Sequence, residues 1–293
     1  MTVSRPAGQL ATEGLCVVTG ATRGIGLAAA TALAARGARV VLVGRDAARL
    51  SAARDAVRRA APPAAQVETL LADLATAAGA ASVVHAMQAR GEPIDVLLNN
   101  AGAIYPSREV TADGVERTFA LNHLAPFRVT LGLADLLHAA PAARVVTVSS
   151  EAHRVAGKEP ADWQSERGYS QMTAYGRSKL ANILFTAELA RRLHGSRVTA
   201  NCFHPGVVRT EFAGGTSGLV ALAFAIARPF MRSAERGAAT GVWLATSPDV
   251  AGMSGLYFTD ERARQPSSDA LDVTLAGSLW RTSESLTGLT LTG

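Results

Sequence analysis

The stretch TGATRGIG, residues 19–26, joins a short apolar run to a long apolar pattern with helical spacing. The run before it, residues 15–19, is rich in β-branched side chains, and the helical pattern covers residues 25–36. Glycines let a backbone approach a ligand closely, and the N–H groups at a helix N-terminus attract anions. The spacing G-x-x-x-G-x-G only approximates the usual dinucleotide fingerprint. The stretch therefore predicts a strand, a turn and a helix that can hold a pyrophosphate.

Short β-rich runs and longer helical stretches continue to alternate along the chain. Further strands are predicted at residues 39–43, 66–71, 94–98, 144–148, 197–203 and 255–258. Helices are predicted at residues 47–59, 77–90, 115–138, 173–193 and 234–246. This alternation is typical of a single α/β domain with a Rossmann-type, doubly wound parallel sheet of about seven strands.

Composition favours one intracellular domain. We expect a flexible N-terminus at residues 1–12, a Rossmann-fold domain at 13–260 and a C-terminal tail at 261–293 with one short helix near 279–286. No run of about 18 apolar residues and no signal-peptide core is present, so we expect a cytoplasmic protein without membrane association. The two cysteines lie in apolar runs, which argues against a disulfide or a metal site. The net charge is +5, but the arginines are scattered, which argues against nucleic-acid binding.

The end of the second predicted strand indicates which nucleotide the site prefers. NAD-binding sites usually place an acidic residue there to bind the adenosine ribose. This chain has Arg45 at that point, followed by Asp46. With Arg23 in the glycine turn, Arg45 could clamp a 2′-phosphate, which favours NADP(H) over NAD(H). The alternatives are that arginine is simply abundant here and that Asp46 binds the ribose of NAD.

A tyrosine and a lysine four residues apart open the fifth long helix. Tyr175 and Lys179 should project from one helix face, and a nearby ammonium lowers the pKa of a phenol toward the working range. Tyr169 is the alternative, but it has no lysine at the same offset. Ser150 closes the fifth strand, at the edge where ligands bind in parallel sheets, and its hydroxyl could polarise a carbonyl oxygen.

Together these residues resemble the short-chain dehydrogenase/reductase family. The motifs that carry the resemblance are the turn Thr19 to Gly26, Asp73-Leu74, Asn99-Asn100-Ala101-Gly102, Asn122, Ser150, Tyr175 with Lys179, and Pro205-Gly206 with Thr210. The insert between Ser150 and Tyr175, the run Ser178 to Asn182, and His204-Pro205-Gly206 resemble the retinol dehydrogenase-like branch. The departures from the family pattern are His204, Gly176 within the Tyr–Lys pair, and the short N-terminus.

The resemblance implies a role for each motif. Tyr175 would be the acid–base residue, Lys179 would bind the nicotinamide ribose, Ser150 would position the substrate, and Asn122 would hold a proton-relaying water. The implied cofactor-binding residues are Gly20, Thr22, Arg23, Gly24, Ile25, Gly26, Arg45, Asp73, Leu74, Asn100, Ala101, Gly102, Tyr175, Lys179, Pro205, Gly206, Val207 and Thr210. The chemistry implied is interconversion of a carbonyl and an alcohol, by a protein that forms dimers or tetramers.

An apolar stretch follows the implied carboxamide-binding turn. Residues 218–227 are almost entirely apolar, and their position predicts a substrate lid over residues 207–232. An apolar lid favours a lipophilic aldehyde, ketone or alcohol. A subunit-interface or core helix and a membrane-surface foot are the alternatives. A non-catalytic NADPH-binding sensor or scaffold is the alternative function, and the full set of acid–base residues argues against it.

Overall fold

The computed structural model describes residues 14–157, 160–208 and 231–291. Its sheet has the strand order β3-β2-β1-β4-β5-β6-β7-β8, parallel except for the last pair. The strands are β1 (Leu15–Thr19), β2 (Arg39–Gly44), β3 (Val67–Leu71), β4 (Val96–Asn99), β5 (Arg144–Val148), β6 (Thr199–His204), β7 (Tyr257–Thr259) and β8 (Arg262–Ala263). The Rossmann-type sheet is confirmed. An eighth strand is added because two residues, Arg262 and Ala263, turn back and pair antiparallel with β7.

Helices cover both faces of the sheet. They are α1 (Gly24–Ala35), α2 (Ala47–Ala60), α3 (Ala77–Arg90), α4 (Arg117–Phe119), α5 (Ala125–Gly132), α6 (Ala134–His138), α7 (Gln171–Arg192), α8 (Ala234–Thr246) and α9 (Val273–Thr287). A π-helical turn covers Ala120–Leu124, and a 3-10 helix covers Glu151–Val155. None of the helices among these residues is long and apolar enough to span a bilayer.

The central strands are apolar on both sides, as a parallel sheet between two helix layers requires. Every residue of β1 and β5 is buried. Alternate β1 side chains enter opposite layers: Val17 packs in the core cluster with α3 and α5, and Val18 packs in the cluster with α1 and α8. The strand order reverses between β1 and β4, which opens a crevice at the carboxyl ends of these strands.

The helix predicted over residues 115–138 is broken into shorter pieces. Pro126 has no N–H, so it cannot donate to the carbonyl of Asn122 four residues earlier. A π-helical turn occupies this point, between α4 and α5. The break places Asn122 at an irregular point of the backbone, next to the candidate site.

The C-terminal helix is longer than the predicted 279–286. α9 runs for 15 residues and buries Leu279 and Trp280. The Trp280 ring stacks on Phe185 at 5.9 Å between centroids, and the Arg192 guanidinium lies 4.3 Å from its centroid. α9 therefore covers the outer side of α7, where a tail of Ser, Thr and Gly residues was expected.

Candidate active site

The glycine turn lies at the crevice between β1 and β4. Gly20 and Gly24 have φ angles of +64° and +55°, in the left-handed region that favours glycine. A methyl group added at Gly20 would lie 2.8 Å from the Cα of Ala101, and one added at Gly26 would lie 2.4 Å from the Gly20 carbonyl oxygen. The turn is thus closed tightly on itself and on the loop after β4.

Thr19 and Asn100 hold the two loops together. The backbone N–H groups of Asn100 and Ala101 donate to Thr19 Oγ1 at 2.9 and 3.0 Å. Asn100 Nδ2 donates to the carbonyls of Thr19 and Gly20 at 2.9 and 3.1 Å. α1 begins after Arg23 without a side-chain cap and with no acidic residue in its first turn. Its first N–H groups therefore fit an anionic phosphate.

The exit of β2 presents positive charge to solvent. Arg45 and Arg23 are both exposed. Asp46 is engaged elsewhere, because it caps α2 and its Oδ1 accepts the Arg49 N–H at 2.9 Å. A methyl group added at Gly44 would lie 2.5 Å from Thr22 Cγ2, so the turn packs directly over the end of β2.

The other expected cofactor residues at this edge differ in how far they are buried. Leu74 is buried in the core, and the Ile25 side chain points toward α8, since a methyl group added at Gly237 would lie 3.3 Å from its Cγ1. Asp73 is half-buried, and its Oδ1 accepts the Ala75 N–H at 3.1 Å. Pro205, Gly206 and Val207 follow β6, with Pro205 buried and Val207 exposed. Thr210 and most of the predicted lid lie outside the described residues.

Tyr175 and Lys179 lie on the first turns of α7, beside the ends of β4 and β5. Lys179 Nζ donates to the Val148 carbonyl at 3.1 Å and lies 5.5 Å from the centroid of the Tyr175 ring. A methyl group added at Gly102 would lie 3.5 Å from Lys179 Nζ. The amine therefore sits between the phenol and the loop after β4.

Burial shifts both groups toward their neutral forms. It raises the pKa of Tyr175 to about 12, although a hydrogen bond with Ser150 acts in the opposite direction. It lowers the pKa of Lys179 to about 8. The lowering of the phenol pKa by Lys179 that the sequence predicts is not seen in this structure, where burial dominates the pKa of both groups.

Ser150 is the first residue beyond β5 on the same edge. It is the N-cap of the 3-10 helix, and its Oγ accepts the Ala152 N–H at 3.1 Å. The neighbouring Ser149 has a structural role, because its Oγ donates to the Lys179 carbonyl at 2.8 Å and so links the end of β5 to α7. Of the Ser149-Ser150 pair, Ser150 is the one whose hydroxyl reaches Tyr175.

Asn122 is fully buried and joins two parts of the site. Its Oδ1 accepts the Ala103 N–H at 2.8 Å, and its Nδ2 donates to the Ala103 carbonyl at 2.9 Å. The same Nδ2 donates to Ser178 Oγ at 2.9 Å, and that hydroxyl donates to the Tyr175 carbonyl at 2.7 Å. A continuous hydrogen-bonded chain therefore links the loop after β4 to the turn of α7 that carries the tyrosine.

Sequence reasoning assigned no role to Arg177, which lies between Tyr175 and Lys179 in the chain. Its buried guanidinium donates to the Ala156 carbonyl, to the Asp162 carbonyl and carboxylate, and to Ser165 Oγ, all within 3.2 Å. Gly176 makes room for this packing, because a methyl group there would lie 2.6 Å from the Ala152 carbonyl oxygen. The insert between Ser150 and Tyr175 is thus anchored to α7. In the sequence, the length of this insert was the signal that could have indicated a segment needing an anchor.

A polar cluster adjoins Ser150 on the side away from the glycine turn. Glu151 Oε1 accepts the Tyr257 hydroxyl at 2.6 Å, and Oε2 accepts Arg154 Nε at 2.8 Å. Burial opposes ionisation of Glu151, but these hydrogen bonds outweigh it and hold the pKa of the carboxyl below its usual value. The Glu151 N–H donates to His204 Nδ1 at 3.3 Å. This cluster fixes the exit of β5 against β6 and β7.

Comparisons with known proteins agree with this geometry. The family model for short chain dehydrogenase matches residues 15–217. Retinol dehydrogenase 14 of Homo sapiens is 38% identical over 288 residues, which cover 93% of this chain and 86% of the relative. A Streptomyces sp. (strain C5) protein provisionally named a daunorubicin C-13 ketoreductase is 40% identical over 273 residues, covering 93% and 92% of the two chains.

Solved structures share the fold. An uncharacterised protein from Mycobacterium Paratuberculosis superposes with a TM-score of 0.76 at 32% identity, over 97% of each chain. A short chain dehydrogenase from Burkholderia cenocepacia J2315, solved in complex with NADP, superposes with a TM-score of 0.68 at 26% identity. That match covers 86% of this chain and 97% of the other.

Proposed function

Because the chain belongs to the short-chain dehydrogenase family, in its retinol dehydrogenase-like branch, and is an oxidoreductase of the CH–OH/C=O type, we propose that it interconverts a lipophilic carbonyl and its alcohol with NADP(H). The observation that carries the proposal is the continuous network at Tyr175. The phenol, Ser150, Lys179 and the chain through Asn122 meet at one edge of the sheet.

The preference for NADP(H) rests on the exit of β2. Two exposed guanidiniums, Arg45 and Arg23, fit a 2′-phosphate, and Asp46 is occupied as the cap of α2. The glycine turn and the uncapped start of α1 would hold the pyrophosphate, and Gly102, Lys179 and Val207 would lie along the nicotinamide half. The NADP complex of the Burkholderia cenocepacia relative supports this choice.

In the reduction direction, Tyr175 would give its hydroxyl proton to the carbonyl oxygen of the substrate. A pKa raised to about 12 keeps the phenol protonated, and therefore able to donate, at neutral pH. Bound NADPH would supply the hydride to the carbonyl carbon. Ser150, which hydrogen-bonds the phenol, would donate to the same oxygen as negative charge develops on it.

Lys179 and Asn122 would help to reprotonate Tyr175 after it has donated its proton. With its pKa lowered to about 8, Lys179 can release a proton more readily than an exposed lysine. The carbonyl of Asn122 lacks its usual α-helical donor because residue 126 is proline, so it can accept a bond from water. Residue 122 would thus hold the water that links the amine to solvent.

Three features beyond the acid–base chemistry belong to the same proposal. The proposal of a lipophilic substrate rests on the apolar residues 218–227, taken as a lid, and on the similarity to a retinol dehydrogenase and a ketoreductase. Cytoplasmic localisation is to be tested by cell fractionation, and assembly into a dimer or tetramer by light scattering. Any such assembly would use surfaces other than the side of α7 that α9 covers.

A screen of NADPH oxidation over medium- and long-chain aldehydes and ketones tests the proposed function. We expect turnover that rises with the apolar length of the substrate, and lower turnover with NADH at equal concentration. Binding of NADPH without oxidation by any substrate would favour the non-catalytic sensor. Flotation of the protein with liposomes would contradict the lid and favour a membrane-surface foot.

A further inference from the structure

His153 links Ser150 to the C-terminal part of the chain. It lies on the 3-10 helix after β5 and is only 1% exposed. Its Nδ1 is 2.7 Å from the Ser150 carbonyl oxygen, which also accepts the His153 backbone N–H at 3.1 Å. Its Nε2 is 3.0 Å from the backbone nitrogen of Ser267. The ring therefore bridges a site residue and a segment more than a hundred residues later.

Both partners fix the protonation state of the ring. A carbonyl oxygen can only accept, so Nδ1 must carry the proton. A backbone N–H can only donate, so Nε2 must offer a lone pair. The imidazole is thus neutral and has a single tautomer. Burial agrees with this assignment, since it lowers the pKa of His153.

Packing keeps the ring from turning. The Tyr257 ring meets His153 edge to face, with centroids 5.4 Å apart and an interplanar angle of 67°. Tyr257 itself is held by Glu151, the residue between Ser150 and Ala152. The Ser150 carbonyl is therefore held by a ring that Ser267 and Tyr257 keep in place, while the Ser150 Oγ is held by the Ala152 N–H two residues on.

We propose that His153 is a positioning residue that aims the Ser150 hydroxyl at the substrate carbonyl. The inference rests on the proposed function, because it acts through Ser150. Loss of the Nδ1–H bond would leave the Ser150 carbonyl held only by the His153 backbone N–H, and would loosen the alignment of Ser150 in the transition state. The effect falls on kcat, and NADPH binding at the other end of the crevice is left unchanged.

Two pairs of variants separate this role from simple packing. His153→Asn keeps a donor at the place of Nδ1, whereas His153→Gln loses it and can still reach toward Ser267. Ser267→Pro removes the N–H that holds Nε2 together with the side-chain hydroxyl, and the φ of −67° at Ser267 suits proline. Ser267→Ala is its matched control, because it keeps the N–H. All are assayed with the fastest aldehyde of the screen.

We expect His153→Gln to lower kcat roughly three- to tenfold, the effect of one hydrogen bond, with the KM for NADPH unchanged. His153→Asn should retain most of the activity. Ser267→Pro should lower kcat about two- to threefold relative to Ser267→Ala. In a Ser150→Ala background, none of these changes should lower kcat further, because the group through which they act is gone.

The outcomes are distinguishable from a failure of the proposed function. Equal losses of kcat in His153→Asn and His153→Gln would overturn the positioning role of His153 but not the proposed function. The same holds if His153→Gln still lowers kcat in the Ser150→Ala background. Full turnover of Ser150→Ala by itself would contradict the assignment of Ser150 as well. If His153→Gln does not fold, the Ser267 pair decides. Independently of activity, ¹⁵N NMR of labelled histidine should find Nδ1 protonated and Nε2 unprotonated at neutral pH; the reverse tautomer would contradict the proposal.

Discussion

Replacing Arg45 with alanine should weaken NADPH binding and leave NADH binding nearly unchanged. The two nucleotides differ only in the 2′-phosphate, and Arg45 stands where β2 ends, at the point where the adenosine ribose is expected. Asp46 does not compensate, because it remains the cap of α2. The change therefore isolates the phosphate contact.

The size of the loss follows from exposure. A pair of unit charges 4 Å apart interacts by about 1 kcal/mol in water and by about 4 kcal/mol at a partly shielded protein surface. Arg45 is exposed, so the lower end applies, and a doubly charged phosphate brings the loss to about 1–2 kcal/mol. This corresponds to a rise in the NADPH Kd of roughly 5- to 30-fold.

Fluorescence titration of both nucleotides measures the effect. Arg54→Ala is the matched control, since Arg54 is an arginine of α2 that pairs with Asp55 away from the crevice. We expect this control to alter neither Kd by more than about twofold, and added salt to reduce the NADPH preference of the wild-type protein. Equal loss of NADPH and NADH affinity in Arg45→Ala, or equal wild-type affinity for both, would refute the reasoning.

Three further predictions concern stability. Arg177→Met should lower the free energy of unfolding by about 3–5 kcal/mol, because it removes the buried ion-pair partner of Asp162 and leaves that carboxylate with only the backbone N–H groups of Glu166 and Arg167; urea unfolding measures this, and a loss below about 1 kcal/mol would contradict it. Trp280→Ala should lower the free energy of unfolding by about 3–5 kcal/mol in the same assay, and Trp280→Phe should lower it clearly less. Equal losses for the two variants would show that the ring contacts are not the cause. Burial lowers the pKa of His123 to about 3, so the unfolded chain binds its proton first as the pH falls. The contribution of neutral His123 to the free energy of unfolding is complete above about pH 6.5 and decreases as the pH falls toward 3. The free energy of unfolding of His123→Gln should therefore fall less steeply between pH 6 and 4 than that of the wild-type protein.

The strands were predictable because their signals are local. β1 and β5 were predicted with the observed bounds, since each is an uninterrupted run of buried, mainly β-branched residues bounded by turn residues. The same holds for α3 and α8. The break at Asn122 was not predicted, because apolar spacing continues through residues 115–138 and hides the effect of Pro126 on the backbone.

The candidate site was predictable in its members and less so in its energetics. Tyr175 and Lys179 were found from their spacing, and Ser150 from its place at the end of a strand. The pKa values could not be read from that spacing, since they depend on burial by distant parts of the chain. The contact of His153 with Ser267 joins segments far apart in sequence, and no local pattern indicates it. For Arg177, the length of the insert indicated an extra segment, but its partners in that segment could not be identified from the sequence.

The most direct test of the central claim is the turnover of Tyr175→Phe, measured together with its affinity for NADPH. Phenylalanine keeps the ring and removes only the hydroxyl that is expected to donate the proton. We expect kcat to fall by about 10²–10⁴-fold while the NADPH Kd stays within about twofold of wild type. Turnover near the wild-type rate with normal NADPH binding would contradict the assignment of residue 175 as the acid of this reaction.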